Sequence, residues 1–210
     1  SGDYYLVIHS GSRNLGKQVA EIYQRRAINL HRGWDEYKLR SQKIIKEYKE
    51  LGNSEEINHA LEELKEGYGI LDIPEDLCWL YGDALNDYLH DIEICQKYAM
   101  RNRELIASMI MGKASLTEID SFHTIHNYID INEMILRKGA IRAVKGEKVL
   151  IPMNMKDGSI LGIGKGNREW NYSAPHGAGR ILSRKQAKEI IDIKEYEKSM
   201  EGIYTTSISL

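Results

Sequence analysis

Pro175, His176, Gly177, Ala178, Gly179 and Arg180 form the segment with the most chemical potential, and Ser183 and Arg184 follow closely. The histidine has no carboxylate beside it. Glycines let backbone N–H groups approach phosphate oxygens, since no Cβ blocks the way. Arginines offer planar forks to further phosphates. The imidazole suits a nucleophile or a phosphate-binding group, set against the plainer reading of a loop histidine beside a tight turn. Short glycine patterns recur by chance. Two further glycine-bearing loops, 151–159 and 164–167, precede this one and can line the same pocket.

Of the seven histidines, His9 in a His-Ser-Gly-Ser-Arg run and His126 in a His-Asn pair also fall in loop-like settings at strand ends. Loops held by strands commonly carry binding groups. Two imidazoles can ligate Mn²⁺, Zn²⁺ or Fe²⁺, yet they lack a carboxylate or thiolate to complete a site. Spacing alone favours hydrogen-bonded loop histidines over ligands. His31, His59 and His90 lie in charged helical surroundings and read as surface or packing residues, while the orientation of His123 relative to His126 is open. Cys78 and Cys95 make no CxxC pair and read as small buried hydrophobes in a reducing compartment.

The elements that must position these groups follow from texture. Tyr4 to Ile8 is β-prone, and a helix is expected from about Leu15 to Arg32, with Leu15, Val19, Ile22 and Tyr23 at helical spacing. Residues 34–70 are rich in lysine and glutamate and read as a helical surface insertion. After Pro74, acidic residues open a long helical rhythm from Leu77 to Met111. Beyond Gly112 come short β-prone runs at 124–131, 134–138, 148–151 and 159–163, then a helix from Ser183 to about Lys194. The expected fold is α+β: a strand-rich catalytic layer, long helices and a helical surface insertion, within a single domain over 1–210. The net charge of −2 across 210 residues makes any polyanion site local. No long uncharged apolar stretch or signal peptide is visible, and a cytoplasmic, non-membrane protein is expected. The opening residues run straight into a strand-like segment, as a chain that starts inside a larger protein would.

Taken together, residues 9–16, Asn102 and Arg103, His126 and Asn127, residues 137–140, 152–159 and 175–184 resemble the RtcB-type RNA ligases, also called 3′-phosphate tRNA-splicing ligases. The motifs occur in family order over nearly the whole chain. The resemblance implies that His176 is guanylylated by GTP. It implies that His9 and His126 ligate Mn²⁺. It places Asn127, Pro152, Met153, Asn154, Met155, Ser159, His176, Gly177, Ala178 and Gly179 against the nucleotide, and Arg13, Arg180 and Arg184 along RNA. The implied partner is RNA carrying a 3′-phosphate or 2′,3′-cyclic phosphate at one end and a 5′-hydroxyl at the other.

The family's Asp-x-x-Cys and Asn-His-x-x-x-Glu metal motifs do not occur here, so the remainder of a ligase chain is expected to supply them. Two other readings use the same residues. One is a noncatalytic RNA-binding or structural fragment, and the other is a metal-dependent phosphoesterase with water as nucleophile.

Overall fold

The computed structural model describes residues 4–206, apart from the side chains of residues 184 and 188. The backbone forms two compact units, 1–116 and 117–210.

The first unit is helical. Helix α1 (Arg13–His31) carries Tyr23 and Ala27 as its buried positions, four residues apart and so on one face. Gly33, at φ 72°, turns the chain into α2 (Trp34–Glu50), and Gly52 separates that helix from a 3-10 turn and α3 (Ile57–Lys65). Trp34, Tyr37 and Tyr68 stack edge to face and tie this segment together. Helix α4 (Gly82–Ala114) has 33 residues, roughly 50 Å at 1.5 Å per residue. Proline is absent from it, so nothing interrupts its hydrogen-bond ladder. The pair α1 and α4 is joined by the Tyr23 hydroxyl, which donates to Asp91 at 2.7 Å, and by the Arg26–Asp87 ion pair at 2.9 Å.

The β-prone residues Tyr4 to Ile8 form no strand. β-propensity describes fitness for a pleated, partnered surface. Here no neighbouring strand pairs with them among the described residues of the helical unit. The expected helix near Ser183 also differs. It is two short helices, α5 (Arg184–Ile190) and α6 (Ile193–Ser199). Ser183 closes a capping box with Gln186 at the start of α5. Asp192 accepts from the backbone N–H groups of Lys194 and Glu195, which starts a new helix where the periodicity had suggested one would end.

In the second unit, β1 (His126–Asp130), β2 (Ile135–Arg142) and β5 (Ser173–Pro175) form an antiparallel sheet in the order β1–β2–β5. Strands β3 (Lys148–Asn154) and β4 (Gly158–Ile163) form a separate hairpin. Ile141, Ala143 and Val149 make a small core, with Ile151 and Ala174 against it. Within that core, Ile141 pairs with His126 on one side and Ala174 on the other.

Candidate active site

The site begins with an irregularity in β2. His126 pairs with Ile141 and Tyr128 with Arg137, so Lys138, Gly139 and Ala140 stand opposite Asn127 alone. The extra residues force a bulge, and Asn127 (φ 56°) and Gly139 (φ 67°) both take left-handed backbone. Asn127 Oδ1 accepts the Gly139 N–H at 2.7 Å, replacing a ladder bond that the bulge removes. That bond commits the amide oxygen, so the Asn127 NH₂ is the end left to donate elsewhere.

On the other side of β2, Ala140 pairs with Pro175. The next step of that register brings His176 level with Gly139. A Cβ on Gly139 would lie 3.4 Å from His176 Cδ2 and Nε2, so the imidazole rests over the bare glycine. The His126 ring stacks on the His176 ring, with centroids 4.8 Å apart and planes inclined by 16°. Two histidines separated by fifty residues of sequence thus meet on one sheet.

The loop after His176 leans on the hairpin. Ala178 N–H donates to the Pro152 carbonyl at 3.3 Å, and a Cβ on Gly177 would come within 3.0 Å of the same oxygen. Because Pro152 pairs with Ser159, this contact gathers Gly177, Ala178, Pro152 and Ser159. Asn154 builds the hairpin turn. Its Oδ1 accepts from Lys156 and Asp157 N–H at 2.9 and 2.8 Å, and its Nδ2 donates to Asp157 at 2.7 Å. Met153 and Met155 flank that turn, and both are exposed.

His9 and Arg13 belong to the first unit. His9 is exposed, and the residue after it is held from α4. Asn102 Nδ2 donates to Ser10 Oγ at 3.1 Å, and Arg103 Nη1 donates to the Ser10 carbonyl at 3.0 Å. Burial pushes the Arg103 guanidinium below its ordinary pKa. Arg13 opens α1 with φ 54°. Gly179 and Arg180 are exposed beyond the docked part of the loop. Arg184 begins α5, and its side chain lies outside the described residues.

His31, His59, His90 and both cysteines belong to the helical unit. His31 packs edge-on against Trp79, centroids 4.1 Å apart, and accepts its backbone N–H. His59 and His90 sit on the surface beside Glu63 and Asp91. Cys78 and Cys95 are free and buried, and burial raises the Cys95 thiol.

In the sequence, Arg137, Asn102 and Arg103 stand out only as parts of motifs. The signal for Arg137 was present. It alternates with Ile135, Gly139 and Ile141 on one face of a strand, and Asp130 at the end of β1 and Glu133 in the following turn precede it. An arginine at such an inward position calls for acidic partners.

The α+β chain thus brings paired imidazoles, a Gly-Ala-Gly loop and a hairpin carbonyl together. The family described as "tRNA-splicing ligase RtcB" matches residues 1–208, and the chain belongs to that family. It is 24% identical over 212 residues to the RNA-splicing ligase RtcB of Escherichia coli K12, covering 93% of this chain and 44% of that protein. It is 26% identical to the tRNA-splicing ligase RtcB of Aeropyrum pernix, covering 97% of this chain and 43% of that protein. With the same-named protein of Thermococcus kodakarensis it shares 26% identity, over 100% of this chain and 44% of that one. The chain therefore spans under half the length of these relatives. No solved structure gives a significant match.

Proposed function

We propose that this chain is part of an RNA ligase that uses GTP to join an RNA 3′-phosphate or 2′,3′-cyclic phosphate to a 5′-hydroxyl, with both units belonging to one RtcB-type domain and residues 34–70 forming a surface insertion. The observation that supports it most is the His176 imidazole, stacked on His126 over Gly139, at the mouth of a loop docked on the Pro152 carbonyl.

In this reading a His176 ring nitrogen attacks the α-phosphorus of GTP. A P–N bond forms, the bond to the β-phosphate oxygen breaks, pyrophosphate leaves, and the imidazole proton passes to solvent. Water first opens a 2′,3′-cyclic phosphate to the 3′-phosphate; a 3′-phosphate oxygen then takes the GMP as the P–N bond breaks and frees His176, and the 5′-hydroxyl attacks the RNA phosphorus, expelling GMP as the strand is sealed. Asn127, through its NH₂, and the backbone of residues 177–179 bind phosphate or base. Pro152, Met153, Asn154, Met155 and Ser159 form the opposite wall. Arg13, Arg180 and Arg184 lie along the RNA backbone.

His9 and His126 present imidazole nitrogens, a donor type that suits Mn²⁺. Among the described residues no group of three His, Cys, Asp or Glu side chains could hold a metal ion. Mn²⁺ therefore needs donors beyond them. When bound, it would neutralise triphosphate charge.

The test is to incubate the protein with α-labelled GTP and Mn²⁺ and isolate acid-labile, covalently bound GMP. His176→Ala is expected to abolish the label, and label persisting in that variant would refute the assignment. Product analysis with end-labelled RNA separates the alternatives. A joined strand supports ligation, and released phosphate without joining points to hydrolysis.

A further inference from the structure

Arg137 is the buried charged residue among those described, with 2% of its surface exposed. Arginine has five N–H donors, and here each one has an acceptor. Nε donates to Ser173 Oγ at 3.0 Å. Nη1 donates to the Tyr128 hydroxyl at 3.2 Å and to Asp130 at 3.1 Å. Nη2 donates to the Asn171 carbonyl at 2.9 Å and to Glu133 at 3.4 Å. A saturated, buried guanidinium has no donor left for nucleotide or RNA.

Its acceptors divide in a telling way. Tyr128 and Asp130 lie on β1, two and four residues after His126, while Asn171 and Ser173 lead into β5, whose end carries His176. Arg137 stands on the central strand between them. Backbone pairing holds β5 to β2 over only three residues, Ala140 to Arg142. The β1–β2 pairing is interrupted by the bulge beside His126. The ladder is therefore weakest where the two rings must meet, and the guanidinium fork spans that weak point. A buried ion network of this kind often contributes less stability than apolar packing of equal volume, and its best-attested use is to set registry.

We propose that Arg137 is a positioning residue, clamping β1 to the entry of β5 so that the His126 and His176 rings stay in register. As a route to catalysis this rests on the reading of His176 as the guanylylated residue.

The test compares the unaltered protein with Ser173→Ala, which removes one acceptor, and Arg137→Lys, which keeps the charge but loses the fork. Three quantities are measured: ring-to-ring nuclear Overhauser contacts between His126 and His176, thermal unfolding, and the single-turnover rate of GMP transfer to His176 as a function of GTP concentration. In both variants that remain folded, the ring contacts are expected to weaken. The limiting rate should fall by roughly 10- to 100-fold, as misplacement of a reacting group does, with half-saturating GTP changed less than about twofold. Unchanged ring contacts in a folded variant would overturn the proposal, as would a rate loss that merely tracks the unfolded fraction. Should Arg137→Lys not fold, Ser173→Ala decides. If the unaltered protein forms no His176–GMP, the functional reading fails, and the ring contacts still decide whether Arg137 sets the register.

Discussion

At the scale of single residues, the site depends on what Gly139 lacks. Its φ of 67° is costly for a residue with a Cβ, and that atom would touch the His176 ring at 3.4 Å. Gly139→Ala is expected to lose about 1–2 kcal/mol from the backbone alone, with a loss in GMP transfer as relief of that strain shifts the backbone beneath the imidazole. Urea unfolding measures the first effect and labelled GTP the second. A variant as stable and as reactive as the parent would show that the ring does not need its glycine floor. Both Gly139 and the His-Gly-Ala-Gly loop were visible as motifs in sequence. Their contact was not, because it depends on the bulge that sets three residues of β2 against one of β1.

Among the elements, the packing of α1 on α4 depends on a buried tyrosine as much as on apolar contact. Burial first, and then the hydrogen bond and negative charge of Asp91, raise the Tyr23 pKa from 10.0 to about 12, while Arg26 opposes the shift. A folded-state pKa above the unfolded value favours the protonated form. The resulting stability is fully present below pH 10 and is lost as pH rises towards 12. Tyr23→Phe is expected to remove that component of the alkaline decline. Denaturation midpoints between pH 9 and 12 measure it, and a variant with the parent's full pH dependence would contradict the assignment. Helical periodicity predicted α1 to within two residues at its start. It gave no notice of the Asp192 cap that splits α5 from α6, since a capping aspartate and a solvated one read alike in a charged stretch.

For the whole molecule, the charge balance bears on RNA. With a net charge of −2, general attraction to a polyanion is weak, and in the proposed reading RNA binding comes from local arginines. Removing one phosphate contact from a single-stranded site lowers the slope of log affinity against log salt by about 0.7. Arg180→Ala is expected to show that change and to weaken binding evenly across sequences, which a salt titration measures. An unchanged slope would place Arg180 away from the backbone of the RNA. The α+β class and the succession of long helices followed by short strands were legible in the linear chain, because periodicity, capping and glycine placement act over a few residues. Pairing decided the rest. Tyr4 to Ile8 has strand composition but no strand partner among the described residues. The His126–His176 stack, the docking of Ala178 on Pro152 and the Arg137 bonds to Tyr128 and Ser173 join residues nine to fifty positions apart, and only strand register brings such groups within reach of one another.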